Sequence, residues 1–98
     1  MTARERVTRA LAGDVVNRCY AASEALWHLE PGRYKPVVLR LSATLTHWWL
    51  VDRASGEVVD LTAAQFPSPV DYSAGRGCGF LTLTPSRAAR ELIRESVS

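Results

Sequence analysis

The stretch that decides the fold covers residues 45–66 and reads LTHWWLVDRASGEVVDLTAAQF. Apolar and polar residues alternate through residues 47–51 and again through 57–61, which is the pattern of two half-buried strands. The intervening DRASG has the composition of a tight turn. The stretch therefore predicts an antiparallel hairpin that carries a histidine on one strand and a carboxylate on the next.

The length of the turn decides whether His47 and Asp60 lie on the same face of this hairpin. Pairing Asp52 with Glu57 leaves a four-residue loop and places Asp60 on the face of His47, two positions away along the strand. Pairing Val51 with Gly56 instead places His47 and Asp60 directly opposite each other. In both cases the Cβ atoms lie roughly 5–8 Å apart, whereas a three-residue loop would put the side chains on opposite faces.

The composition describes one domain spanning residues 1–98, since 47% of the residues are hydrophobic and 22% are charged. The formal net charge is only +2, which disfavours nucleic acid as a partner. No apolar run approaches the ~20 residues of a membrane span, and the first residues lack a signal-peptide core. We therefore expect a cytoplasmic protein with no membrane association and no cofactor, in which Cys19 and Cys78 are free thiols.

Two helices are predicted before the hairpin. Helical spacing of apolar residues covers Thr2 to about Ala12 and then residues 18–29. The second pattern is broken by Glu30-Pro31-Gly32. Asn17 is a good N-cap for the second helix, so Cys19 is expected at its second helical position. A strand over residues 37–41 follows, and this strand begins after Pro36.

The chain after the hairpin is expected to be mostly loop. Pro67 and Pro69 cannot donate to a strand ladder, so residues 62–72 form at most one turn, at 63–66. Three glycines in SAGRGCG, residues 73–79, predict unusual backbone angles or a close approach to a neighbouring group. Residues 80–83 are expected to form a short edge strand.

The last helix is predicted to start with Thr84 as its cap and Pro85 at its first helical position. The residues expected to face inward are Ala89, Leu92 and Ile93, and those expected to face water are Arg87, Arg90 and Arg94. The order α-α-β-β-β-loop-α predicts an α+β fold, with N-terminal helices packed on a small antiparallel sheet and a C-terminal helix.

Cys19, His47 and Asp60 are the residue types that nucleophilic catalysis requires. The positive end of a helix and an adjacent imidazolium both lower the pKa of a thiol. If the second helix crosses the hairpin face of His47, this histidine supplies the imidazolium and Asp60 orients it. Unpaired N–H groups at the helix start would stabilise an oxyanion. We assign to the oxyanion and substrate rim four further residues: Asn17, Trp49, Gln65 and Arg76.

Other side chains compete for these roles. Asp52 sits beside the turn, where Asp commonly makes local turn bonds, and His28 ends the second helix, where a cation suits the helix dipole. Cys78 in GRGCGF is the rival nucleophile, but no helix begins there. The set Cys19, His28, His47 and Cys78 has the number of ligands of a zinc site but no close ligand pair, so no metal is expected. Cys19 could also be an ordinary buried cysteine.

These motifs resemble those of papain-like cysteine hydrolases. Cys19 at a helix start, HWW at residues 47–49 and DLT at 60–62 come in the order found in the transglutaminase-like branch. VVDLTAAQF is similar to the Asp-Leu-Thr-x-x-Gln-Phe signature of the small bacterial and phage proteins called YunG-like. The resemblance covers residues 17–66, roughly half of the chain. Papain-type enzymes have a glutamine six residues before the nucleophile, where this chain has Gly13.

The resemblance implies a papain-like core and a small cysteine hydrolase or acyltransferase. Its substrate would be an amide of a protein or peptide, in a peptide bond, an isopeptide bond or a glutamine side chain. The alternative is a non-catalytic protein-binding module on the same fold, or a nucleic-acid-binding accessory protein that uses Arg76 and the arginines of the last helix. The oligomeric state is not predicted.

Overall fold

Helices packed on an antiparallel sheet make up the structure, a computed structural model that describes residues 1–97. The helices are α1 (Ala3–Leu11), α2 (Cys19–Leu29) and α3 (Arg87–Val97). The strands are β1 (Tyr34–Arg40), β2 (Thr46–Asp52), β3 (Val58–Val59) and β4 (Arg76–Gly77), arranged in the order β3-β2-β1-β4. Single 3-10 turns lie at Ala63–Gln65 and Tyr72–Ala74. The predicted α+β class is confirmed.

The hairpin has the four-residue loop of the first pairing. Val51 pairs with Val58, the Asp52 N–H donates to the Glu57 carbonyl, and the Gly56 N–H donates to the Asp52 carbonyl. Gly56 has a φ of 75°, a value that glycine adopts without steric cost. The same register places Asp60 opposite Trp49 and two positions from His47 on one face.

The start of α2 differs from the sequence prediction. Asn17 is not its N-cap: Arg18 occupies that position, and its side chain makes no capping hydrogen bond. Cys19 is therefore the first helical residue and not the second. Asn17 instead has a left-handed backbone with φ 58°, a conformation that asparagine tolerates better than most residues. α1 is capped by a reciprocal pair of bonds between Thr2 and Glu5.

The hydrophobic core lies between the helices and one face of the sheet. It combines Leu50 and Val59 of the hairpin with buried residues of all three helices: Val7, Leu11, Ala21, Ala22, Ala25, Leu26, Ala89 and Leu92. Because strand side chains alternate, His47 and Trp49 point to the opposite face. Gly75 packs there so closely that a Cβ atom would overlap the Trp49 indole, which confirms the close approach predicted for the glycine-rich segment.

The first strand starts earlier than predicted and includes Pro36. The Cys78 N–H donates to the Pro36 carbonyl, so the backbone of Pro36 faces the β4 side of β1. Its missing N–H therefore removes no bond from the ladder between β1 and β2. No helix of residues 1–97 has both the length and the apolar character needed to cross a membrane.

The last quarter of the chain contains two further corrections. Residues 80–83 do not form a strand, and Leu81 and Leu83 are almost fully exposed; the edge strand is β4 instead. α3 begins at Arg87 and not at Pro85, because the Ser86 hydroxyl accepts a bond from the Ala89 N–H at 3.3 Å and so acts as the cap. The predicted inward and outward faces of this helix are confirmed.

Candidate active site

Cys19 lies at an open edge of the sheet. β3 pairs only with Leu50 and Val51 of β2, so the first half of β2 has no strand on that side. The Cys19 Sγ occupies this edge, 3.9 Å from the Thr46 carbonyl oxygen. From the sequence we expected α2 to cross the face of His47, but the helix does not do so. It packs on the opposite face, and its first residue reaches His47 around the strand edge.

The imidazole of His47 is completely buried, with 0% exposure. Its Nε2 lies 2.6 Å from Asp60 Oδ2, and the rings of Phe66 and Trp49 pack against it at centroid distances of 4.6 and 5.5 Å. Its Nδ1 is buried and has no hydrogen-bond partner among the described residues. Since Asp60 holds Nε2, Nδ1 is the nitrogen left to exchange a proton with Cys19.

The carboxylate of Asp60 is held from several directions, and its side chain is 3% exposed. Besides His47, its Oδ2 accepts a bond from the Tyr72 hydroxyl at 2.8 Å. Its Oδ1 accepts bonds from the Thr62 N–H at 3.2 Å and from the Thr62 hydroxyl at 3.5 Å. The DLT sequence thus forms a local turn around the carboxylate, which fixes its orientation toward His47.

The electrostatics of the site favour the charged forms of both Cys19 and His47. Burial raises the pKa of the Cys19 thiol, but the neighbouring imidazole of His47 and the N–H groups of Trp48 and Tyr20 outweigh it, and the pKa lies below its ordinary value. Burial lowers the pKa of His47, while Asp60 and Cys19 raise it more strongly, to about 9. Both shifts favour the charged form of the group, a thiolate on Cys19 and an imidazolium on His47.

A second chain of hydrogen bonds ties the segment before α2 to the acid. The Asn17 N–H donates to Gln65 Oε1 at 3.4 Å, and Gln65 Nε2 donates to the Thr62 hydroxyl at 3.1 Å. Thr62 in turn contacts Asp60. Gln65 thereby links the left-handed backbone just before the nucleophile to the turn that holds the carboxylate.

A groove of about 650 Å³ opens beside the thiol. Its lining residues are Val16, Asn17, Cys19, Tyr20, Thr44, Leu45, Thr46, Trp48, Gln65, Phe66 and Leu81. Of the four residues that we assigned to the rim, Asn17 and Gln65 line the groove. Trp49 does not, because it is buried on the face of His47. Arg76 does not either. It lies on β4, where it pairs with Val38 of β1, and β4 is two strands away from β2.

The competing side chains are engaged elsewhere. Asp52 accepts bonds from the Ala54 and Ser55 N–H groups at 2.8 and 3.0 Å. The Ser55 N–H, the Arg33 side chain and the Ala54 N–H lower the pKa of Asp52 to about 2. Its predicted role in the turn is confirmed.

Neither Cys78 nor His28 joins the site. The Cys78 thiol donates to the Gly79 carbonyl at 3.6 Å and lines a separate groove with Lys35 and Arg53. His28 lies in the last turn of α2, as predicted, and packs edge-on against Trp27. No group of three His, Cys, Asp or Glu side chains within residues 1–97 is arranged to hold a metal ion.

Tyr72 is the site residue that sequence reasoning missed. It lies in the proline- and glycine-rich segment after the hairpin, where no periodic pattern indicates which residues turn inward. Burial and the bond to the Asp60 carboxylate raise its pKa to about 12, so it remains a hydrogen-bond donor at neutral pH.

Comparison of the chain with protein-family models, curated proteins and solved structures finds no match in any of the three.

Proposed function

We propose that this chain is a small cysteine hydrolase or acyltransferase of papain-like architecture that acts on amides through Cys19, His47 and Asp60. One observation carries the proposal: a fully buried imidazole lies between a carboxylate at 2.6 Å and a thiol whose pKa is lowered. Nucleophilic catalysis requires this arrangement of nucleophile, base and orienting acid.

The position of Cys19 supports a reactive thiol over a core cysteine. A core cysteine packs among apolar groups, which raise its pKa. Cys19 instead lies partly exposed in the wall of a groove. N–H groups of Tyr20 and Trp48 stabilise its negative charge, and the positive end of the α2 dipole adds to this effect.

In the first half-reaction, the Cys19 thiolate attacks the carbonyl carbon of an amide, and a C–S bond forms while the carbonyl π electrons move to oxygen. N–H groups in the first turn of α2 have no intrahelical acceptor, so they are available to stabilise this oxyanion. As the intermediate collapses, the C–N bond breaks. His47 gives its proton to the departing nitrogen, which leaves a thioester on Cys19 and a neutral imidazole.

In the second half-reaction, an acceptor attacks the thioester carbonyl. His47 takes a proton from the acceptor, the C–S bond breaks, and the thiolate and imidazolium are restored. Water as acceptor gives hydrolysis, and an amine gives acyl transfer. Asp60 keeps its charge throughout and stabilises the imidazolium, while Thr62 and Tyr72 hold the carboxylate in place.

The first test compares the two thiols within one molecule. Iodoacetamide alkylation should be followed from pH 5 to 9 by peptide mass mapping. We expect Cys19 to react about 10-fold faster than Cys78 near pH 6.5, because its thiolate persists at lower pH. Coincident pH profiles for the two cysteines would contradict the proposal.

The second test measures acyl transfer itself. p-Nitrophenyl acetate should acetylate Cys19, which is detected as the mass of one acetyl group on the peptide that contains it. Cys19→Ser should lose this adduct, and Cys78→Ser should retain it as the matched control. Release of p-nitrophenolate should be followed in parallel, because hydrolysis of the thioester removes the acetyl group. Acetylation at Cys78 alone, or the absence of both the Cys19 adduct and any p-nitrophenolate release that depends on Cys19, would exclude the proposed chemistry.

A further inference from the structure

The groove around Cys19 has an uncharged lining. None of the residues that line it within the described chain is Asp, Glu, Lys, Arg or His, although 22% of the chain is charged. The other grooves differ: the one beside Cys78 contains Lys35 and Arg53, and the one beside Tyr34 contains four charged side chains. Apart from Cys19 itself, a ligand that enters this groove therefore meets no charged side chain of residues 1–97.

Exposed apolar side chains converge on the same groove. Val16 is 61% exposed, Leu45 46% and Leu81 87%, and Trp48 and Phe66 contribute aromatic surface beside them. Single exposed apolar residues are common on protein surfaces, but several around one concavity are typical of a binding site for apolar groups.

Polar side chains are interleaved with these apolar ones. Asn17, Thr44, Thr46 and Gln65 also line the groove and provide donors and acceptors along it. A continuous fatty chain would remove water from these groups without replacing its hydrogen bonds, which is unfavourable. A peptide offers both the amide groups that satisfy them and the side chains that cover the apolar surface.

We propose that this groove binds an uncharged peptide segment with bulky apolar side chains beside the amide presented to Cys19. The volume of about 650 Å³ falls within the range of about 300–1,000 Å³ that is usual for ligand sites. This inference names the substrate class for the proposed function and rests on it for the reaction. The binding step does not require a reactive thiol.

The binding test uses the Cys19→Ser protein and amide chemical shifts measured by NMR. The probes are three blocked peptides: acetyl-Leu-Phe-Gly-amide, acetyl-Asp-Glu-Gly-amide and acetyl-Lys-Lys-Gly-amide. We expect the apolar peptide to bind about 10-fold more tightly than either charged one, because its side chains leave water on binding. The shift changes should map to residues 16–20, 44–48, 65–66 and 81.

The matched variants are two exposed leucines close together in sequence. Leu45 lines the groove, whereas Leu41, 42% exposed, lines a neighbouring groove with Pro67 and Pro69. Leu45→Asp should weaken binding of the apolar peptide by about 10-fold through the loss of one apolar contact and the added charge. Leu41→Asp should leave it within about twofold. Leu81 also lines the groove, so Leu81→Asp should act like Leu45→Asp.

Equal binding of the three peptides, or shift changes outside these residues, would overturn the inference. Binding of the apolar peptide together with a failure of wild-type Cys19 both to accept an acetyl group and to release p-nitrophenolate would uphold the groove and reject the proposed hydrolase. Acetylation of Cys19 without any preference among the peptides would uphold the hydrolase and reject the groove.

Discussion

The two cysteines of this chain have similar exposure and different surroundings. Both are partly buried and free, and each thiol contacts a carbonyl oxygen, that of Thr46 for Cys19 and that of Gly79 for Cys78. Cys19 in addition lies at a helix start beside N–H groups and a buried imidazole. The comparison shows that exposure alone does not distinguish a reactive thiol; the hydrogen-bond donors that face the sulfur do.

The largest expected effect on this comparison comes from His47. His47→Gln removes the imidazolium that stabilises the Cys19 thiolate, so alkylation of Cys19 at pH 6.5 should fall by about 10- to 100-fold and approach the rate of Cys78. His28→Gln is the control, because His28 lies at the other end of α2, and it should leave the rate unchanged. An unchanged rate in His47→Gln would show that the helix start alone activates the thiol.

Asp60→Asn should have the next largest effect. The amide oxygen can still accept a bond from Nε2, but the negative charge that raises the pKa of His47 to about 9 is lost. Alkylation of Cys19 at pH 7 should therefore fall by about 10-fold. Asp52→Asn is the matched control, since Asp52 is also a largely buried acid but serves the hairpin turn. Equal losses in both variants would indicate general destabilisation.

The pH dependence of stability provides a third test, best made in Cys19→Ala, where His47 titrates without the thiol. In this variant Asp60 remains beside the imidazole and favours its charged form, so the contribution of His47 to the free energy of unfolding is fully present below about pH 6.5. This contribution is lost as the pH rises through the pKa of His47 in the folded state. Thermal melts of Cys19→Ala should therefore show a falling Tm above pH 6.5.

The wild type should show a shallower fall over the same range. The pKa of Cys19 is lowered on folding, so its own contribution grows with pH up to its unfolded value and opposes that of His47. Equal slopes in the two proteins would show that the thiol and the imidazole do not share a proton.

The sequence predicted the parts of the site that local patterns control. Alternation through the hairpin and an even-length turn placed His47 and Asp60 on one face, because strand side chains repeat every two residues. The helical spacing of residues 18–29 placed Cys19 within one position of its true place at the start of α2. Each of these inferences depends on residues that are close together in sequence.

The route by which the thiol meets the imidazole was not predictable in this way. We expected α2 to cross the face of His47, but the meeting takes place at a strand edge that is open because β3 ends at Val59. Strand length depends on where the chain departs to pack elsewhere, which is a tertiary effect. The positions of Asn17 and Tyr72 depend likewise on contacts with residues distant in sequence, to Gln65 and Asp60.

Tyr72→Phe should give the smallest change and the most specific one. Without the hydroxyl, His47 is the remaining side-chain partner of Asp60 Oδ2 within residues 1–97, so the carboxylate stabilises the imidazolium more strongly. The pKa of His47 should therefore rise, and the midpoint of the Cys19 alkylation profile should move to lower pH. Tyr34→Phe is the matched control, because the Tyr34 hydroxyl also donates to a carboxylate at 2.8 Å, that of Glu30, outside the site. Each variant should lose about 1 kcal/mol of stability. A shift of the Cys19 alkylation profile in Tyr72→Phe alone would therefore assign Tyr72 to the site. Identical profiles in the two variants would confine Tyr72 to a structural role.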